Sequence, residues 1–127
     1  MLIALRIFSG LVALLFLVNG FQWIFSPANV AASLRMPLLE GSGASTQIGD
    51  LGSFFLVGGI MMALGQLPGR SVWFYPPAML IFGAAVIRTL AALLGNASLE
   101  LDVIVLEVVM SAILYFTASK LAEAEGA

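Results

Sequence analysis

The chain has 127 residues and contains no cysteine and no histidine. That excludes disulfides, thiol chemistry, imidazole acid–base work and zinc sites of the Cys/His kind. Charge is scarce as well. Five Lys or Arg and seven Asp or Glu make up 9% of the chain, against about 25% in an ordinary soluble domain. With a net charge of −2 and no basic tract, the sequence has no electrostatic footprint for nucleic acid and none for an anionic-lipid anchor. What is abundant is apolar side chain, 61% of the total. So little charge cannot dress so much apolar surface in water, and the same composition excludes disorder. The sequence therefore reads as a single integral membrane domain covering residues 1–127.

A hydrocarbon core about 30 Å thick needs roughly 20 apolar residues in a helix. Four runs meet this: Ile7 to Phe25, Leu51 to Leu67, Val72 to Leu94 with one charge at Arg88, and Val103 to Ala118 with one charge at Glu107. Period-two alternation is absent, so strands of a barrel are disfavoured. The spans are expected over roughly residues 4–25, 47–67, 72–94 and 101–119. The first run exceeds a secretory h-region of about 7–15 residues, and no small-x-small site follows it directly, so it reads as a retained span.

The connections set the topology. Ser26-Pro27 is a helix start and Pro37 a stop, so a short interfacial helix is expected from Ala28 to Met36, with Arg35 reaching water. The segment Gly41-Ser42-Gly43-Ala44-Ser45-Thr46 reads as a flexible link. Leu67-Pro68-Gly69-Arg70 and Gly95-Asn96-Ala97-Ser98 read as tight turns that make successive helices antiparallel neighbours. The fold class is all-α, a four-helix up-down membrane bundle. Arg6, Arg70 and Lys120 lie at the end carrying both termini, against Arg35 at the other, so the termini are expected in the cytoplasm of an inner-membrane, multi-pass protein. No internal repeat suggests an inverted-repeat transporter.

Gly59 and Ala63 have the small-xxx-small spacing of close helix packing, either inside the monomer or on a homodimer face. Trp23, Phe25, Trp73, Phe74 and Tyr75 fall at span ends and read as interfacial anchors.

Polar groups inside spans need a partner or a purpose, because a charge at a helix centre costs about 2.5–3.5 kcal/mol on insertion scales. Arg88 and Glu107 each lie about 12–14 Å from the same turn, which makes them a pair by geometry. If the second span begins near Thr46, Asp50 sits about 6 Å from that membrane face, and Asn19 about 10 Å from it. Asn19, Asp50, Arg88 and Glu107 are thus the candidate site, with Arg88 bridging Asp50 and Glu107 and Ser111 offering a hydroxyl beside Glu107. Glu100 and Asp102, flanking a turn, read as surface charges, and Glu123 and Glu125 as an acidic tail. Three uses remain open for the constellation. It fixes helix register, it lines a pocket for the polar end of a lipophilic molecule, or it relays protons, which the lack of His and the permanent charge of Arg disfavour.

The chain resembles the small four-helix DoxX-like membrane proteins and a related bacterial family of unassigned role. The resemblance rests on a first helix ending at Ser26-Pro27 and on Asp50-Leu51-Gly52-Ser53-Phe54-Phe55 opening a Gly-rich second helix. Arg88 late in the third, Gly95-Asn96 at the turn and Glu107 in the fourth complete it, over roughly residues 5–117. It implies a four-helix bundle. Some DoxX relatives are accessory subunits of membrane oxidoreductases and others assist membrane-protein assembly. The redox-linked cysteines of certain relatives have no counterpart here, which argues against thiol oxidoreductase activity.

Function is expected to be binding or accessory: a polar intramembrane pocket for a lipophilic small molecule, or an anchor for a membrane-protein partner or second copy among membrane lipids. The alternatives are a membrane enzyme with Glu107 or Asp50 as proton carrier, and a purely structural subunit. No metal cluster, phosphate-binding glycine loop or nucleophile elbow supports catalysis, and no cofactor is indicated.

Overall fold

The computed structural model describes residues 1–126. The chain forms helices α1 (Leu2–Phe25), α2 (Pro27–Ser33), α3 (Gly41–Gly65), α4 (Tyr75–Leu93) and α5 (Leu101–Gly126), with a 3-10 turn at Ser71–Phe74 and no strand among the described residues. Four of these segments are long and apolar enough to cross a membrane: Leu2–Phe25, Gly41–Gly65, Ser71–Leu93 and Leu101–Gly126. Ile7, Leu11, Leu14 and Val18 on α1, and Val105, Leu106 and Val109 on α5, lie exposed, as side chains solvated by lipid would. The protein is a multi-pass membrane bundle.

One end of the bundle holds both chain ends and the 66–74 connection. The other, here the loop end, holds α2, residues 34–40 and the 94–100 turn. The core is built by Val12, Phe16, Met62, Phe74, Ile81, Met110 and Leu114, and a second cluster of Trp23, Val30 and Ala31 seats α2 on α1 at the loop end. Trp23 and Phe74 are wholly enclosed, at 0% exposure, so two of the five expected interfacial anchors are core residues. The helix they end on turns them inward, where burial of a large ring outweighs an interfacial position.

Not every pair of consecutive helices packs. The main seams are α1 with α3 and α4 with α5, with α1 against α5 joining the two pairs, whereas α3 and α4 share few contacts despite their short connection. The α1–α3 seam is close because Gly20 has no side chain: a Cβ there would come within 2.6 Å of Leu56 Cα. Gly59 lies equally close against Leu17, whose backbone nitrogen would be 2.9 Å from an added Cβ. Gly59 of the expected small-xxx-small pair thus packs within the chain, while Ala63 lies exposed.

Several boundaries differ from expectation for identifiable reasons. The short interfacial helix, expected to run to Met36, ends at Ser33, and the left-handed backbone of Arg35 closes it. The Gly-Ser-rich stretch from Gly41 to Thr46 is not a flexible link but the first turns of α3. Buried Gln47 stitches it down, accepting the Leu39 N–H at 2.8 Å and donating to the Pro37 carbonyl at 2.9 Å. Tertiary bonds here override poor helix propensity. Before α4, Pro76 and Pro77 cannot bond back to the carbonyls of Val72 and Trp73, and the chain closes that stretch as a 3-10 turn instead. At the opposite end of α5 the expected acidic tail is helical to Gly126, with Lys120 paired to Glu123 at 3.5 Å.

Candidate functional site

The polar residues of the spans separate into three places. Arg88 on α4 and Glu107 on α5 meet: Nε lies 2.9 Å from Oε1. Glu107 is buried at 8% exposure, while the Arg88 side chain is 47% exposed. The N–H is not aimed along that line. Oε1, closed off from solvent, therefore has the charge beside it but no directed hydrogen bond. Ser111 does not supply one, because its hydroxyl donates to the Val108 carbonyl of its own helix at 2.9 Å.

Asp50 does not join that pair. Since α3 begins at Gly41, Asp50 lies about 14 Å along the helix instead of about 6 Å. Its carboxylate makes no ion pair among the described residues, and it lines a cleft of about 400 Å³ between α3 and α4 with Ser53, Phe54, Val57 and Leu80. From the 66–74 connection, Asp50 stands about 22 Å up α3 and Arg88 about 20 Å up α4, so they share a depth without sharing a bond. Asn19 is also apart: its side-chain amide donates to the Leu15 carbonyl at 2.9 Å, a bond within α1.

The loop end adds a group that the sequence reading left as isolated charges. Arg35 does reach the surface, but it clamps the start of α5. Nη2 lies 2.6 Å from Asp102 Oδ2, Nη1 donates to Oδ1 at 3.3 Å, and Nη1 is 3.4 Å from Glu100 Oε2. The hydrogen bond that it donates to Asp102, then the charges of Asp102 and Glu100, hold the Arg35 guanidinium above its ordinary pKa, so it remains a cation.

How Arg35 gets there is local. The Arg35 N–H bonds to the Ala32 carbonyl and the Met36 N–H to the Ala31 carbonyl, both at 3.0 Å, the paired bonds that close a helix through a left-handed residue. Arg35 holds φ at 64°, a conformation in which glycine is the usual occupant. The chain uses glycine for the same task at the end of α4. There Gly95 has φ 78° and the corresponding bonds run from Gly95 to Ala92 and from Asn96 to Ala91. Met36 then packs onto Trp23, Val30 and Ala31, completing the cap.

Arg35 and Arg88 both line two hollows of about 290 and 340 Å³, which Leu34 and Glu100 also line. These are the only hollows described that carry charge of both signs. A larger one, about 500 Å³, runs along α4 and α5 between the rings of Tyr75, Phe82, Tyr115 and Phe116. It has no charged lining, so it offers shape without discrimination and reads as a lipid-facing groove. No cluster of three or more metal-ligating side chains occurs among the described residues.

Sequence reasoning thus located Arg88 and Glu107, and the structure separates Asp50 and Asn19 from them. It missed Arg35, Glu100 and Asp102 as a set. The only signal for them was opposite charge at the same membrane face, in segments far apart in sequence. No protein-family model, curated protein or solved structure matches the chain.

Proposed function

We propose that the protein is a small membrane binding or accessory protein whose site, between Arg88–Glu107 and Arg35, receives the polar end of a lipophilic molecule. One observation carries this reading: Arg88, held beside Glu107, also lines a hollow that joins Arg35 and Glu100 to the apolar side chains of Leu34, Met36, Ile87 and Ala91. An amphiphile matches such a surface, with its head on the guanidinium and its tail among the spans. Kinship with the DoxX-like proteins belongs to the same reading, supported by the four-helix order and by Arg88 and Glu107 lying side by side. So does an inner-membrane location with both termini in the cytoplasm, supported by Arg6, Arg70 and Lys120 at the end that holds them.

The pair also lies in the α4–α5 seam, which favours a second, purely structural reading in which it fixes how those helices meet. Native mass spectrometry of the protein released gently from its own membrane separates the two. A co-purifying molecule of constant mass, lost in Arg88→Ala while the bundle survives, is the expected result. A bare chain in both proteins overturns the binding reading.

A further inference from the structure

Arg88 is an incompletely used donor. Nε is the guanidinium nitrogen nearest Glu107, and no directed hydrogen bond from either Nη is found among the described residues. Arg88 lies about 8 Å below the end of α4, the level at which long cationic side chains reach for headgroups. A guanidinium left with free N–H groups at that depth is unfavourable unless an acceptor meets it. The second cation on the same hollow is Arg35, held there by a left-handed backbone that disfavours any side chain. From that strained position the Arg35 side chain reaches both the α5 carboxylates and the hollow.

The geometry points to a phosphodiester site: we infer that the hollow between Arg35 and Arg88 takes the headgroup of a membrane phospholipid. The inference rests on the binding reading above and names the class of its ligand. Two guanidinium groups from different segments, Arg88 on α4 and Arg35 in the cap after α2, line one hollow and suit an acceptor with oxygens on more than one side. Glu100, Asp102 and Glu107 outnumber Arg35 and Arg88 three to two, so recognition comes from directed donors and not from surplus positive charge. A site without surplus positive charge favours a singly charged diester over a doubly charged free phosphate. The apolar walls, Leu34, Ile87 and Ala91, favour a headgroup that arrives with acyl chains attached.

The test uses the full chain, purified in a phosphate-free maltoside detergent and challenged in turn with dioleoyl phosphatidylglycerol, dioleoylglycerol, oleate and inorganic phosphate. Retention is read by native mass spectrometry and by the melting temperature. The phospholipid should stay bound and raise the melting temperature, and dioleoylglycerol should do neither. Arg88→Lys keeps the charge and loses the planar fork. Arg35→Gly supplies the residue that the local φ prefers, so the backbone keeps its course. Each should weaken phospholipid retention roughly tenfold, about 1.4 kcal/mol. Dioleoylglycerol held as tightly as the phospholipid, oleate held more tightly, or both variants binding like the parent would overturn the phosphodiester site and leave the binding reading standing. Inorganic phosphate displacing the lipid at submillimolar concentration would overturn the lipid source. No retention of any amphiphile would overturn both.

Discussion

Arg88 Nε and Glu107 Oε1 stand 2.9 Å apart across the α4–α5 seam, and the acid is the more deeply enclosed of the two. Removing one partner leaves the other uncompensated, and the cost falls mainly on the acid's side. Glu107→Leu together with Arg88→Leu should be less destabilising than Arg88→Leu alone, because the double change leaves no unpaired carboxylate in the seam. Partial exposure of Arg88 reduces the single-variant loss to about 1–3 kcal/mol. Thermal unfolding of the parent and three variants in one detergent measures this. Additive losses would mean the two side chains do not interact.

Arg35 occupies a glycine conformation, and two substitutions separate its backbone strain from its ion pairs. Both Arg35→Gly and Arg35→Ala remove the contacts to Asp102 and Glu100, but only glycine relieves the strain. Arg35→Gly should therefore melt above Arg35→Ala. Equal melting temperatures would show that φ 64° is not strained in solution.

Gly20 and Gly49 offer a matched pair of glycine-to-alanine changes. At Gly20 an added Cβ meets the Leu56 backbone at 2.6 Å, whereas at Gly49 it meets nothing within 4 Å. Gly20→Ala should destabilise by about 1–3 kcal/mol through overpacking. Gly49→Ala should be neutral or stabilising by up to about 1 kcal/mol through helix propensity. Melting temperatures of the two variants, compared with the parent, give the sign of each.

Gln47 holds the 34–40 connection to α3. Gln47→Leu keeps the side-chain volume but leaves the Leu39 N–H and the Pro37 carbonyl without their partner, for a loss of about 1–3 kcal/mol. Hydrogen exchange should rise in residues 34–46 and stay unchanged in α5. Exchange that rises uniformly would show that Gln47 supports the whole bundle and not this stitch.

The native chain has no cysteine, so single introduced thiols report membrane sidedness without background. Ser42→Cys and Ala97→Cys lie at the loop end and should label together from one side with an impermeant maleimide, and Glu125→Cys from the other. Labelling of all three from one side would break the four-span topology.

The spans were legible because a bilayer dictates a length and an apolar content that no other setting requires, and both stand in the residue string. The Arg88–Glu107 pair was legible for a related reason: two helices joined by a tight turn can be counted outward from it. Asp50 does share the depth of Arg88, and the expected bridge fails because α3 and α4 hardly pack, a lateral arrangement that the residue string does not carry. Its distance from the loop end is longer than expected because Gln47, reaching back to residues 37 and 39, lets α3 begin at Gly41. Arg35 was read as merely reaching water because an arginine in a left-handed cap has no sequence signature. Trp23 and Phe74 looked like belt residues because position along a span is visible in sequence and rotation about its axis is not.

The sparse seam between α3 and α4 leaves a cleft whose Asp50, Val57 and Leu80 border the bilayer along the spans. A lipophilic molecule that enters it from the leaflet arrives two-dimensionally, and not from the aqueous phase. Its occupancy therefore follows mole fraction in the membrane. Adding more detergent or more lipid at constant molarity would dilute it, so a titration plotted against bulk concentration would give a different midpoint for every protein-to-lipid ratio.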